Sequence, residues 1–507
     1  MNESTPNTLH VSLLLFSIFT VALCGLTYEL LAGAVSSYLL GNSVLWFSVT
    51  IGAFMSAMGI GAWLSRTWDS HLLEGFIAVE LAVGLIGGLA GPALFLAYTF
   101  TRMYTVVFFI FVALIGTCIG LEIPLLTRYL ERYGSLRQAI SDVMSIDYAG
   151  ALGASLLFPL VLLPNLGLMK TFPAVGLLNV GVAALTIWFF RAQLKWVKTM
   201  TLAAMIGIVC LCGMLWAGES WMTTAESRRY PDQVIFAEQS PYQRLVLTKH
   251  QDDVRLYLDG HLQFSSRDEV RYHESLVHPV MSLAETPVDV LVLGGGDGMA
   301  VREILKYPSV KTVTLVDLDP VMTRMGKEHP ALLALNDGSL NDPRVTVVNE
   351  DAYTYVESSK RTWSVIIMDF PDPHGEALAK LYSVRFYRQI AEHLEAEGVA
   401  VTQATSPYFA RKAFWSIRET IGAAGLHTHP YHVWVPSFGE WGFVMMEATP
   451  REPRGAPFVV PTRWIEPVGY RNMFLFPPDM AKVEADANTL SHPVLIEYYR
   501  HSWSKWF

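Results

Sequence analysis

Cysteine, charge and dense basic tracts are all scarce in this chain. Of its 507 residues only Cys24, Cys118, Cys210 and Cys212 are cysteine, and none follows residue 217. The second half therefore has no disulfide framework and no thiolate metal site, and cysteine usage does not report its compartment. Charged residues make up 16% of the chain, against roughly a quarter in soluble globular proteins. The 37 Lys and Arg face 46 Asp and Glu, a formal charge of −9, and no block clusters the cations. That excludes a nucleic-acid binder, whose affinity rests on cations facing phosphates. Apolar residues are abundant instead, at 52% with a mean hydropathy of +0.32.

The apolar excess lies before residue 218, in seven runs near the ~20 residues that cross a bilayer as helix: 10–31, 44–64, 75–98, 104–126, 145–164, 172–190 and 200–217. The first is too long for a signal-peptide core, has no basic residue before it and lacks a small-x-small cleavage site, so it reads as a mature span. Gly84, Gly87, Gly88, Gly91, Gly150 and Gly153 recur inside the runs, the pattern of helices that pack closely as a bundle. Loops after the second, fourth and sixth runs carry Arg66, then Arg128, Arg132 and Arg137, then Arg191, Lys195 and Lys198. The opposite side has Arg102 and Lys170, with Arg228 and Arg229 beyond the last run. Positive-inside bias then puts the N-terminus in the cytoplasm and, after seven crossings, the second half outside. Glu29, Glu80, Glu122 and Asp147 lie in or at the ends of these runs, where ionisable groups are expensive and often functional. Pairing within the bundle or placement at the interface is their ordinary reading, and contact with a cationic ligand the sharper one.

From residue 218 the pattern is that of a soluble domain. Residues 233–265 alternate in short β-type runs, with Asp259-Gly260 as a turn between strands. Buried-strand runs then alternate with helical stretches, which reads as a parallel α/β sheet wound on both faces. The expected divisions are a transmembrane helical domain over 1–217, a linker and small β-domain over 218–272, an α/β domain over 273–450 and a C-terminal extension over 451–507.

The chemistry gathers at the strand ends. Val290-Leu-Val-Leu leads into Gly294-Gly-Gly-Asp-Gly298 and a helical stretch, a tight turn that lets a ligand approach backbone at a helix N-terminus. Such a turn alone is weak evidence. Asp317 ends the next strand, where a carboxylate accepts from both hydroxyls of a ribose, and Asp351-Ala352 follows the third, placed to accept from an adenine amine. Each is singly more often a solvated loop carboxylate; in order they describe a nucleoside pocket at the carboxyl edge of the sheet. The fourth strand ends in Asp369-Phe-Pro-Asp372-Pro, a proline-stiffened turn whose two carboxylates suit a cationic amine. The triplet His427, His429 and His432 lacks a helical i, i+4 pair and any cysteine, so no metal is expected there. Phe438 and Trp441 read as pocket wall or core.

Together these residues resemble the membrane-integral branch of the spermidine synthase family. Tyr242-Gln243, Leu258-Asp-Gly-His-Leu-Gln263, Asp268-Glu-Val-Arg-Tyr272-His273-Glu274, the glycine turn, Asp317, Asp351-Ala352, Asp369 to Pro373, Gln403 and Trp441-Gly-Phe carry the resemblance over about 233–450. It implies a transmembrane bundle of about seven spans, a small β-domain, and a doubly wound Rossmann-like domain of methyltransferase type. The implied reaction moves the aminopropyl group of decarboxylated S-adenosylmethionine, a co-substrate and not a resident cofactor, to a diamine, usually putrescine. Spermidine and methylthioadenosine are its products. Asp369 is then the base, aided by Tyr272, and Asp372 and Gln403 position the diamine with Phe438 and Trp441. Gln243, His273, Gly294, Gly296, Asp297, Asp317, Asp351 and Ala352 take the donor. Asp297 attracts the lone ammonium of the decarboxylated donor and repels the carboxylate of the intact one.

Two features depart from the family pattern: Met299 where a further glycine is common, and Phe370-Pro371 between the aspartates, which narrows the acceptor side. The expected partners are a diamine, a nucleoside donor, a surrounding cell (inner) membrane and further copies of the chain, with no nucleic acid. Donor supply favours a cytoplasmic catalytic domain, against the loop cations. An ordinary S-adenosylmethionine methyltransferase, or a membrane polyamine sensor or transporter, are the alternatives.

Overall fold

The computed structural model describes residues 8–40, 43–101, 103–133, 135–284, 286–452 and 458–506, which leaves the loop residue Arg102 outside. The chain divides into two compact units, Met1–Asp232 and Gln233–Phe507. The first is helical: α1 (Thr8–Leu40), α2 (Ser43–Leu64), α3 (Leu72–Phe100), α4 (Tyr104–Leu130), α5 (Leu136–Leu157), α6 (Leu163–Phe190) and α7 (Val197–Arg229). Glycine sets how near α2 and α4 lie. A Cβ on Gly61 would sit 2.1 Å from the Thr117 carbonyl oxygen, and one on Gly120 2.1 Å from that of Met58, so both helices need glycine there.

The outside of this unit is apolar. On α5, Leu136, Ile140, Met144, Tyr148, Leu152 and Leu156 recur at every fourth position and are exposed, as are Met55 on α2 and Val209 on α7. Among the described residues, six helical stretches are long and apolar enough to cross a membrane by length and composition, against the seven runs of the sequence reading. The difference lies in Leu136–Phe190, one 55-residue stretch that contains both expected runs 145–164 and 172–190. It is interrupted by a π-helical segment, Phe158–Leu162, and by Gly167 at φ 66°, ψ 177°. At the other end α7 continues to Arg229, through residues expected as linker.

The second unit opens with an antiparallel sheet, β1 (Gln233–Gln239), β2 (Arg244–His250), β3 (Asp253–Leu258) and β4 (His261–Ser265), paired in that order. Asp259 and Gly260 have φ of 50° and 83°, the left-handed pair that a tight β3–β4 hairpin requires. α8 (Glu269–Leu283) starts ahead of the expected boundary at 272, so Tyr272 and His273 share one helix.

The α/β part follows as β5 (Asp289–Gly294), α9 (Met299–Ile304), β6 (Thr312–Asp317), α10 (Pro320–Glu328), α11 (Pro330–Asn336), β7 (Val345–Asn349), α12 (Ala352–Ser358), β8 (Trp363–Asp369), α13 (Glu376–Ala379), α14 (Val384–Glu392), β9 (Leu394–Gln403), α15 (Arg411–Ala423), β10 (His427–Val435) and β11 (Gly439–Glu447). The sheet order is β10-β11-β9-β8-β5-β6-β7, parallel from β9 to β7 and antiparallel at β11 and β10. Successive residues of β5 bury on opposite faces: Val290 and Val292 pack with α8 and α9, Leu291 and Leu293 with α12, α14 and α15. The continuous apolar run follows from this two-sided burial. Beyond the sheet, α16 (Pro467–Asn472) and α17 (Val494–Trp503) belong to a tail held by buried polar groups. The Glu274 carboxylate accepts from the backbone N–H groups of Arg463, Trp464 and Ile465 at 2.6, 2.9 and 2.9 Å, and Trp415 Nε1 donates to the Met480 carbonyl at 3.1 Å.

Candidate active site

Parallel pairing puts Gly294 in register with Asp369, and the glycine turn after β5 lies between two carboxylates. A Cβ on Gly294, at φ 83°, would meet the Asp369 carbonyl oxygen at 2.2 Å; one on Gly296 would meet Asp317 Oδ2 at 2.6 Å. Glycine is therefore required at both positions, by left-handed backbone at the first and close approach at each. Asp297 is buried and its Oδ1 accepts from the Met299 N–H at 2.9 Å. Met299 itself is buried with Leu245, Leu247 and Phe264 of the antiparallel sheet, which is why the position where a glycine is common holds a large apolar residue.

On the far side of the turn, Tyr272 donates its hydroxyl to Asp369 Oδ1 at 2.6 Å. Burial pushes the Asp369 carboxyl up to about 6, with the Asp297 charge adding to the rise and His273 and Tyr272 opposing it. His273 is buried, and burial disfavours its charge. The Glu269 carboxylate, 2.8 Å from Nδ1, outweighs that and, with Asp297 and Asp369, raises the imidazole to about 9. Glu269 is gripped in turn by Arg302, through Nη1 at 3.0 Å and Nη2 at 2.9 Å. His273 is thus a cation at neutral pH amid the aspartates of the cleft. The Glu269–Arg302 pair that holds it lacks a local sequence signal, since its partners are 33 residues apart.

The second aspartate of the turn sits in a polar cage. Asp372 Oδ2 accepts from Tyr499 at 2.9 Å and Thr405 at 3.2 Å, and Oδ1 lies 3.4 Å from Gln403 Nε2. Gln403 Nε2 also donates to the Phe370 carbonyl at 2.8 Å and to Tyr382 at 2.6 Å, while its Oε1 accepts from the Thr405 N–H at 2.9 Å. Burial raises Asp372 to about 6 against these hydrogen bonds. Tyr499, on α17, and Thr405 are the members the sequence reading missed. Phe438 and Trp441 have ring centroids 5.1 Å apart, and Phe438 is 6.2 Å from Tyr272. Phe370 does not narrow the acceptor side: its ring is buried against Tyr382 and Phe386, in the core behind the turn.

On the donor side, Asp317 accepts from the Gly296 N–H at 3.0 Å and the Asp319 N–H at 2.8 Å. Burial still raises it to about 6. Gln243 reaches this strand end indirectly, donating to Asp319 Oδ2 at 3.0 Å, while Asp319 Oδ1 caps α10 through the Val321 N–H at 2.9 Å. Asp351 caps α12 through the Thr354 N–H at 3.1 Å, with buried Ala352 as its first residue. Burial favours the neutral acid at Asp351, but Lys380, 2.8 Å from Oδ2, holds it below the usual carboxylate range. One Asp351 oxygen is thus already matched by a cation, which the sequence did not foretell. The histidines of β10 take separate partners: His429 Nε2 pairs with Glu447 at 2.9 Å, and His432 with Glu440.

Residues 269–454 match the spermine/spermidine synthase domain family. Over nearly its whole length the chain is 46% identical to polyamine aminopropyltransferase 2 of Ralstonia nicotianae, covering 97% of this chain and 98% of the relative. It is 42% identical to the polyamine aminopropyltransferase of Leptospira interrogans (97% and 99% covered) and 36% identical to that of Mycobacterium tuberculosis (97% and 96%). The solved spermidine synthase of Thermotoga maritima is 27% identical, covering 48% of this chain and 85% of its own, at a TM-score of 0.45. The chain belongs to the polyamine aminopropyltransferase family, enzymes of polyamine biosynthesis that use decarboxylated S-adenosylmethionine as co-substrate.

Proposed function

We propose that this enzyme transfers the aminopropyl group of decarboxylated S-adenosylmethionine to putrescine, giving spermidine and methylthioadenosine, at a cell (inner) membrane that holds its helical half. The observation that carries the reading of the site is the 2.6 Å Tyr272–Asp369 contact beside the glycine turn, with Asp372 at its far end. An alkyl amine is protonated at neutral pH and cannot attack, so Asp369 takes its proton while Tyr272 fixes the carboxylate. The freed nitrogen lone pair forms the new C–N bond as the C–S bond breaks, and sulfur leaves with the bonding pair as a neutral thioether. Asp372, Gln403 and the Phe438–Trp441 wall hold the rest of the diamine in line. Asp317 takes the ribose hydroxyls, Asp351 the adenine amine through its remaining acceptor capacity, and Gln243, Gly294, Gly296 and Ala352 shape the donor side. Asp297 and cationic His273 act as opposite charges on the donor: Asp297 draws its ammonium, and His273 keeps the surrounding carboxylates from repelling one another.

Seven crossings fit the helical half better than six. A 55-residue stretch is about 80 Å as straight helix, more than twice the ~30 Å hydrocarbon thickness, and its break at Gly167 lets it cross twice. Donor supply places the catalytic half in the cytoplasm, against the seven basic residues on one set of loops and two on the other. A homo-oligomer completes the reading, tested by sedimentation in detergent. Acceptor choice is tested by comparing kcat/KM for putrescine, cadaverine and 1,3-diaminopropane: highest with putrescine if the reading holds, highest with another diamine if it fails.

A further inference from the structure

Four polar side chains in the helical unit are buried with no hydrogen-bond partner. Glu80 on α3 is 0% exposed, and Glu122 on α4, Asn179 on α6 and Tyr28 on α1 are each 1% exposed. Neither oxygen of either glutamate, neither polar atom of Asn179 and not the Tyr28 hydroxyl finds a partner among the described residues. Such groups are rare in folded proteins and each calls for an explanation.

They lie in one place. Glu80 acts electrostatically on Glu122, and both act on Cys24, one helical turn from Tyr28. The Cys24 thiol points to the Val175 carbonyl at 3.8 Å, one turn before Asn179. Asn179 packs against Gly84, one turn after Glu80, where an added Cβ would lie 3.3 Å from its own. Half-buried Asp147 on α5 acts on Glu122 as a third carboxylate nearer the surface. Among the described residues, no lysine, arginine or histidine acts on Glu80 or Glu122.

We propose that Glu80, Glu122, Asn179 and Tyr28 form a binding site for an alkylammonium cation inside the helical unit, separate from the catalytic cleft. Two buried carboxylates need positive charge or a proton each. Protonation alone adds donors and leaves Asn179 and Tyr28 unmatched. An ammonium brings charge and several N–H donors together, for which the carboxylates, the amide oxygen and the phenol oxygen are acceptors. The Tyr28 ring lies against Gly87 and gives an apolar flank that suits methylenes and that a bare inorganic cation would not use. The catalytic half makes and consumes molecules of this class, so the site is placed to sense or pass them.

Equilibrium dialysis of radiolabelled spermidine against the full chain in detergent tests this. The native chain is expected to bind two equivalents, one at each site. Asp369→Asn/Asp372→Asn, which leaves the bundle untouched, should keep one; Glu80→Gln/Glu122→Gln should also keep one, and the combined variant none. Loss of all binding in Asp369→Asn/Asp372→Asn overturns the proposal whatever becomes of the bundle variant's folding. So does retention of two sites in Glu80→Gln/Glu122→Gln, or displacement of the bundle-bound label by equimolar sodium. Failure of the acceptor site alone is read separately, as loss of the equivalent that Glu80→Gln/Glu122→Gln retains.

Discussion

The hydroxyl of Tyr499 lies 2.9 Å from Asp372 Oδ2, across 127 residues of chain. The C-terminal helix thereby reaches the carboxylate proposed to hold the acceptor end of the diamine. Tyr499→Phe removes one hydrogen bond to a charged acceptor, about 1.5 kcal/mol. KM for the diamine should rise roughly ten-fold, with the KM for the donor unmoved, as steady-state kinetics in both substrates will show. Equal rises in both constants would make Tyr499 a general structural residue.

Asp369→Asn removes the proposed base. Its kcat should fall by about 10² to 10⁴ while methylthioadenosine still binds, which calorimetry can check. Tyr272→Phe keeps the base but loses its anchor, so a smaller drop of about ten-fold is expected. A variant at Asp369 with near-native turnover would move the base elsewhere.

The acid limb of activity follows from the same burial. Asp369 and Asp372 both sit at about 6; below that pH each is protonated, so neither can take a proton or hold an ammonium. kcat/KM for the diamine should therefore fall as pH drops through about 6. A limb that stays near pH 4 would show carboxylates with ordinary, solvated behaviour.

Asp297 should govern donor choice. At an effective dielectric of ~20, a unit charge contact near 4 Å is worth about 4 kcal/mol before desolvation. Asp297→Asn should weaken the decarboxylated donor and narrow its advantage over intact S-adenosylmethionine, measured as the ratio of the two dissociation constants. An unchanged ratio would put discrimination in another residue.

Much of this site was legible because it is built from strand ends. Gly294, Asp317 and Asp369 stand where an apolar run stops, and parallel pairing brings such positions to one edge whatever the connecting helices do. Asp351 was legible as a position, but its Lys380 partner lies 29 residues on and has no pattern of its own. Tyr499, Thr405 and the Glu269–Arg302 clamp were not legible for the same reason: each meets its partner through tertiary packing, with no spacing rule to mark it. Phe370 was misread because a residue between two cleft carboxylates was assumed to face the cleft, and its ring turns to the core. In the helical half, composition marked the helices, while the break within α6 depends on Gly167 backbone that hydropathy does not register.

Membrane side is open to direct reading, since no cysteine follows Cys212. A single cysteine placed at exposed Glu376 should resist an impermeant thiol reagent on intact cells and react after lysis. Labelling of intact cells would place the catalytic half outside.

The central claim is aminopropyl transfer by this chain, and product analysis tests it most directly. Purified full-length protein in detergent, given decarboxylated S-adenosylmethionine and putrescine, should release methylthioadenosine and spermidine in equal amounts, and intact S-adenosylmethionine should yield neither. Methylated amine from the intact donor, or binding of the decarboxylated donor without product, would contradict the account.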